Sequence, residues 1–108
     1  MAISDFQAGQ IVATLPIGKG VDGAGYDLAS GNVFASNADG SLTVIHQDSP
    51  DKYRVALTVE TPQGSRNMGL DAANHRVYVA SAKFGPTPAG GRRAPVIAGS
   101  FAVLVIEQ

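Results

Sequence analysis

The chain has 108 residues, a formal net charge of -1, 44% hydrophobic residues and only 6% aromatic ones. That length fits one domain with one modest core, and the near-neutral charge argues against a broad electrostatic surface for nucleic acid or anionic lipid. The absence of Cys excludes disulfides, thiolate nucleophiles and Cys-ligated metals.

Turn residues dominate the punctuation, with Gly 13 and Pro 6, and they favour all-β architecture over helices. The N-terminus, Met1-Ala2-Ile3-Ser4-Asp5-Phe6, has neither a basic n-region nor an apolar h-region, so no signal peptide is expected. No apolar run approaches the roughly 18 residues of a membrane span. The compartment stays open between the cytoplasm and a location beyond a removed leader.

Eight β-rich runs bounded by turn residues follow in order. The first spans 10–17 and ends at Gly18-Lys19-Gly20; the second spans 23–28 and ends at Ser30-Gly31. The third, 32–37, is joined to the fourth, 41–47, by Ala38-Asp39-Gly40. That Asp-Gly pair is a hairpin signal, because Gly adopts positive φ at little cost. A polar loop, 48–52, leads to the fifth run at 53–60, which Pro62-Gln63-Gly64 ends. The last three span 67–71, 76–82 and 101–107. No window keeps a helical apolar period free of Gly or Pro.

An internal repeat underlies these runs. Gly25-Tyr26-Asp27 recurs as Gly69-Leu70-Asp71, and Val33-Phe34-Ala35-Ser36 as Val77-Tyr78-Val79-Ala80, both at an offset of 44. Val12-Ala13-Thr14-Leu15 recurs as Val55-Ala56-Leu57-Thr58 at 43, and Ser41-Leu42-Thr43-Val44 resembles Ser100-Phe101-Ala102-Val103 at 59. The excess falls in the Pro- and Gly-rich stretch 85–99. Four strands per period of about 44 residues match one blade of a β-propeller. The competing reading is a β-sandwich with chance similarity.

The repeat units also resemble a known family. Ile11-Val12-Ala13-Thr14-Leu15-Pro16-Ile17-Gly18 resembles the outer strand and turn of the YVTN-type β-propeller repeat family (YncE-like). Arg76-Val77-Tyr78-Val79-Ala80-Ser81 resembles its second strand, and Ser41-Leu42-Thr43-Val44-Ile45 its third. The resemblance covers nearly the whole chain outside 85–99 and implies a C-terminal two-blade portion of such a propeller. His46 departs from the pattern, since an Asp usually follows the third strand. The family has no single activity, so the resemblance implies fold more than chemistry. Its members allow a periplasmic or extracellular location.

With blade strands lettered a to d from the axis outward, the chain reads d-abcd-abc. Strand d occupies 9–17, a complete blade 21–62, and strands a-b-c 65–108 with the loop insertion 85–99 between b and c. The last strand, with apolar Ala102-Val103-Leu104-Val105-Ile106, then has an unpaired edge that needs a mate. Propellers close with roughly four to eight blades, and this chain has material for two. Copies joined head to tail, each lending strand d to the next, would close with three or four chains. Otherwise the chain is part of a larger propeller.

Candidate sites follow from this arrangement. Val21-Asp22-Gly23 and Ser65-Arg66-Asn67 correspond at the offset of 44, which predicts Asp22, Arg66 and Asn67 at the channel rim. They read either as a site for a small polar ligand or anion, or as mutually paired rim charges. Asp27 and Asp71 read as metal ligands or as caps of the turns that follow. His46 and His75, the only histidines, lack ligand-like spacing and read as strand-end and turn residues. Arg92 and Arg93, in the insertion, read as a phosphate or partner contact or as solubilising charge. No nucleophile elbow, phosphate-cradling glycine loop or metal motif stands out.

No catalytic residue, metal or cofactor is therefore expected. The leading reading is a non-enzymatic, self-assembling propeller scaffold or binding module whose ring closes by exchange of the N-terminal strand. The alternative is a fragment of a larger propeller enzyme, lactonase-like or cofactor-dependent dehydrogenase-like, with an axial active site. Nucleic-acid binding through Arg92 and Arg93 is a third and less favoured reading, and a membrane is not an expected partner.

Overall fold

The computed structural model describes residues 1–82 and 98–107. Among them there is no helix, and so none able to cross a membrane. Nine strands form three antiparallel sheets. The first is a hairpin of β1 (Ala2–Asp5) and β2 (Gln10–Thr14). The second is a four-stranded meander of β3 (Val21–Asp27), β4 (Asn32–Asn37), β5 (Ser41–Ser49) and β6 (Lys52–Glu60). The third joins β7 (Met68–Asp71), β8 (Arg76–Ser81) and β9 (Ala102–Glu107) in that order.

The all-β architecture thus agrees with the turn-rich sequence, and most strand positions agree within a few residues. Four differences have local causes. Residues 2–5 form a strand that the sequence reading lacks, so the run at 10–17 does not stand alone. The Asp5 carboxylate nucleates this hairpin by accepting from Gln7 N at 3.0 Å and Ala8 N at 3.1 Å, and Gly9 supplies a φ of 68°. The run also stops at Thr14, two residues before Pro16, which has no N–H to continue a ladder. The expected polar loop at 48–52 is a tight turn, because Ser49 pairs with Lys52.

The fourth difference is one of register. Phe34 lies opposite Val44, and Tyr78 lies opposite Val105. The repeat offset for the third strand is therefore 61, not the 59 read from Ser41 and Ser100. Both values are odd, so the same residues reach the same face whichever is used; only the pairing moves along the strand.

The core lies between the second and third sheets. Phe34, Leu42 and Val44 from one meet Val77 and Val79 from the other, with Val59, Met68, Leu70, Leu104 and Ile106 around them. Burying each such side chain contributes about 1.5–3 kcal/mol before entropy is counted. Close approach depends on glycine. A Cβ on Gly23 would lie 2.7 Å from Met68 Cγ and 3.1 Å from Met68 N. The backbones also touch through a hydroxyl: Ser36 Oγ donates to the Arg66 carbonyl across the interface.

The opposite face of the second sheet carries Ala35, Thr43 and Ile45, all at most 2% exposed. The N-terminal segment lies against this side, where Gly18 N donates to Thr43 Oγ1 at 3.3 Å. The segment also clasps the β4–β5 turn. Ala38 N donates to Gly20 O at 2.9 Å, and Lys19 N donates to the Asp39 carboxylate at 2.8 Å. From the other side, Thr61 N donates to Gly40 O at 2.9 Å and Gly64 N to Ala38 O at 2.8 Å. Gly40 itself has a φ of 93°, so the Asp-Gly turn needs its glycine.

Candidate functional site

The residues expected at one rim occupy equivalent backbone irregularities. In the β3–β4 ladder, Val21 pairs with Asn37 and Gly23 with Ser36, leaving Asp22 as the extra residue of a β-bulge. Just before β7, Arg66 N donates to Ala80 O at 3.0 Å while Asn67 O accepts from Ala80 N at 2.9 Å. Two residues again face one. Asp22 and Arg66, 44 apart, are the first members of matching bulges, and both are exposed, as is Asn67. A bulge re-aims the side chain it carries, so Asp22 and Arg66 occupy the same position relative to their own sheets. Arg92 and Arg93 lie outside the described residues.

Asp27 and Asp71 both cap the turn that follows them. Asp27 Oδ1 accepts from Ala29 N at 3.0 Å, and Asp71 Oδ1 accepts from Asn74 N at 3.3 Å. The two then differ. Asp71 is held locally by Asn74 Nδ2, whereas the side chain of Asp27 is 0% exposed and its Oδ2 lies 2.7 Å from His75 Nδ1. This contact spans 48 residues and ties the two packed sheets together.

His75 has a φ of 54°, and Gly31, 44 residues earlier, has a φ of 73°. The same left-handed turn position is therefore glycine in one repeat and histidine in the next. Left-handed backbone costs a non-glycine residue roughly 1–2 kcal/mol. The bond to a buried carboxylate offsets that cost. Sequence spacing had suggested no partner for His75, since nothing local marks Asp27 as its neighbour.

His46 belongs to a different network. Its Nδ1 lies 2.9 Å from Asn32 Oδ1, its Nε2 lies 3.9 Å from Asp48, and Asp48 pairs with Arg54 at 3.1 Å. The two histidines thus do not share a site. Among the described residues no three His, Asp or Glu side chains are grouped to hold a metal ion.

Two clefts flank the N-terminal segment. The larger, about 400 Å³, lies between Pro16–Gly18 and the outer strands, with Asp39, Ser41 and Thr43 supplying polar groups. Ser41 Oγ donates to Asp39 Oδ1 at 2.6 Å and accepts from Asn37 Nδ2 at 3.1 Å. Asn37 is fully buried, and its Oδ1 has no hydrogen-bond partner among the described residues. A carboxylate beside two hydroxyls can hold a small polar group. The smaller cleft, about 310 Å³, separates Ala2 and Ile3 from Tyr26, Val33, Gln47 and Tyr53. There Tyr26 OH donates to Gln47 Oε1 at 2.6 Å, and Gln47 Nε2 donates to Tyr53 OH at 2.9 Å.

Hydrogen bonding shifts two carboxyls, the exposed Asp39 and the half-buried Asp71. Ser41, then the Lys19 amide, holds Asp39 below the ordinary value of 3.8, and Asn74 does the same for Asp71. A lowered folded-state value means stability that is present above the ordinary carboxylate range and lost as pH falls through the shifted value. The urea midpoint of the native chain should therefore drop below about pH 4. Asp39→Asn combined with Asp71→Asn should flatten that acid limb. An unchanged limb in the double variant would assign acid sensitivity to other groups.

No family model, curated protein or solved structure matches this chain.

Proposed function

We propose that this chain is a self-assembling β-propeller scaffold or binding module rather than an enzyme, with a ring closed by exchange of its N-terminal strand between copies. The carrying observation is the unequal completion of two equivalent sheets. β5 pairs on one side with β4 and on the other with β6. Its counterpart β9 pairs with β8 alone among the described residues. An apolar strand with an open row of N–H and C=O groups is a template for another strand.

The missing fourth strand is available on a second copy. β2 is paired on one edge only, with β1, among the described residues. A neighbour's β2 added antiparallel to β9 supplies the fourth strand of that sheet, in the place that β1 holds beside β2 in the single chain. Three or four chains joined in this way close a ring, and the matching bulges at Asp22 and Arg66 then recur around it as alternating charges for a small polar ligand.

Light scattering should give a mass of three or four chains. Deleting residues 1–17 should abolish that particle and leave monomer or aggregate. If the truncated chain still forms the same particle, strand exchange is wrong. A monodisperse monomer from the intact chain would point instead to a segment of a larger propeller.

A further inference from the structure

The contact between the second and third sheets is a template for a contact that the described residues do not make with one another. On its buried side, β3 presents Gly25 beside Phe34 of β4 and Val44 of β5. A Cβ built on Gly25 would lie 3.3 Å from Met68 Cε and 3.6 Å from Leu70 Cβ. Phe34 is 2% exposed and Val44 8%.

The third sheet repeats this surface on its far side. Gly69 stands for Gly25, Tyr78 for Phe34 and, by register, Val105 for Val44. Here, among the described residues, the surface stays open apart from the Arg76 side chain beside Tyr78. Val103 is 53% and Val105 54% exposed, and a Cβ on Gly69 would meet nothing within 4 Å. A glycine in a strand interior weakens the strand and marks a close approach of another backbone; at Gly69 that approach is unmade.

The complementary half also exists. The residues corresponding to Met68, Leu70 and Val77 are Ala24, Tyr26 and Val33. Ala24 and Tyr26 alternate with Gly23 and Gly25, so they face away from the third sheet. Tyr26 is 44% exposed, and with Val33 it borders the 310 Å³ cleft against Ala2 and Ile3. In the single chain this half lies under the N-terminal segment, with Ala35, Thr43 and Ile45 at most 2% exposed, so a docking copy takes the place that β1 holds against Tyr26 and Val33.

We infer that the open face of the third sheet, around Gly69, Tyr78 and Val105, docks a second copy of this chain through that copy's Ala24–Tyr26 face. Such docking rests on the self-assembly proposed above and adds a face to the exchanged edge. The contact is heterologous, because each half differs from the other, so it propagates head to tail until the ring closes. The neighbour's Tyr78 enters the cleft beside Tyr26 and Val33.

The chain has no Cys of its own, so engineered thiols report this geometry cleanly. The in-chain spacing of 3.6 Å from Gly25 to Leu70 Cβ falls within the range of disulfide Cβ separations. The equivalent intermolecular pair is Gly69 with Tyr26. Neither Gly25 nor Gly69 has a positive φ, so both accept a side chain. Oxidised Tyr26→Cys/Gly69→Cys should run on a non-reducing gel as a ladder that ends at the ring's chain number. An equal mixture of the two single variants should add only a covalent dimer between them. Gly25→Cys/Leu70→Cys should cross-link within one chain.

A second variant guards against a folding defect. Gly69→Leu meets open space in the single chain, so its monomer should keep native circular dichroism and thermal midpoint while losing the particle at concentrations where the wild type is assembled. Intact particles from Gly69→Leu, or an absent ladder while light scattering still finds the particle, would overturn face docking and leave strand exchange standing alone. A wild-type chain that never assembles would overturn both.

Discussion

Replacing Phe34 with alanine should remove about 3–5 kcal/mol of stability, while the same truncation at Tyr78 should cost the dilute single chain far less. The two aromatics occupy equivalent strand positions, 44 residues apart. Phe34 is 2% exposed, in a cluster with Leu42, Val44, Val77 and Val79. Tyr78 is only half-buried, on a face whose valines are open to water. Removing a ring from a close-packed interior loses its transfer energy and leaves a cavity; a half-exposed ring leaves a dent that water fills.

Against a total stability of about 5–15 kcal/mol, the Phe34 loss is a large fraction. Urea titration at low concentration measures it directly, with a lowered midpoint and an unchanged slope for Phe34→Ala. Equal losses at the two sites would mean that the packed and open faces are not energetically distinct. The open face would then have no more need of a partner than the packed one.

Asp27→Ala should cost about 1–3 kcal/mol. The substitution strands two donors at once: the Ala29 amide and the His75 ring. Each such hydrogen bond contributes about 0.5–1.5 kcal/mol net, and water reaches both donors once the carboxylate is gone. The carboxylate is 0% exposed but the imidazole is 46% exposed, so solvent weakens the charge part of their attraction. Their coupling in a double-mutant cycle of Asp27→Asn with His75→Gln should accordingly be near 1 kcal/mol.

The backbone adds a discriminating control. His75→Gly relieves the left-handed strain as it removes the contact, so it should be less damaging than His75→Ala, which only removes the contact. If alanine were the better tolerated of the two, the φ of 54° would not be a source of strain. Asp71→Ala should have a small effect, because its partners are local and exposed.

The contrast between Asp27 and Asp71 shows what a sequence makes legible. Alternating apolar residues, Gly-marked turns and an offset of 44 reveal the strands and the repeat, because those signals are local or periodic. The capping role of both aspartates is legible for the same reason. The inter-sheet bond from Asp27 to His75 is not, since it depends on which turn ends meet when two sheets pack. The matching bulges at Asp22 and Arg66 follow from the offset only as positions; that each stands as one of two residues against one is set by ladder hydrogen bonds that composition does not encode.

The hairpin partner of β2 was hidden for another reason. Ala2–Asp5 is four residues long and carries too little pattern to stand out as a strand. Its pairing rests on Asp5 and Gly9, a turn that becomes visible only once the strands on both sides are known. The slip of two residues at β9 arose because Ser100-Phe101 resembles Ser41-Leu42, although strand pairing is fixed by the faces of β8.

The unequal turns also set an order of events during folding. Three residues separate Asn37 from Ser41, and twenty separate Ser81 from Ala102. Closing the longer connection costs about 1.7 kcal/mol more chain entropy, enough to slow that step on the order of tenfold. The meander, clasped around its Asp-Gly turn, can therefore nucleate first and offer its apolar side as the surface on which the later strands condense. Of the described strands, β9 then waits longest for a place.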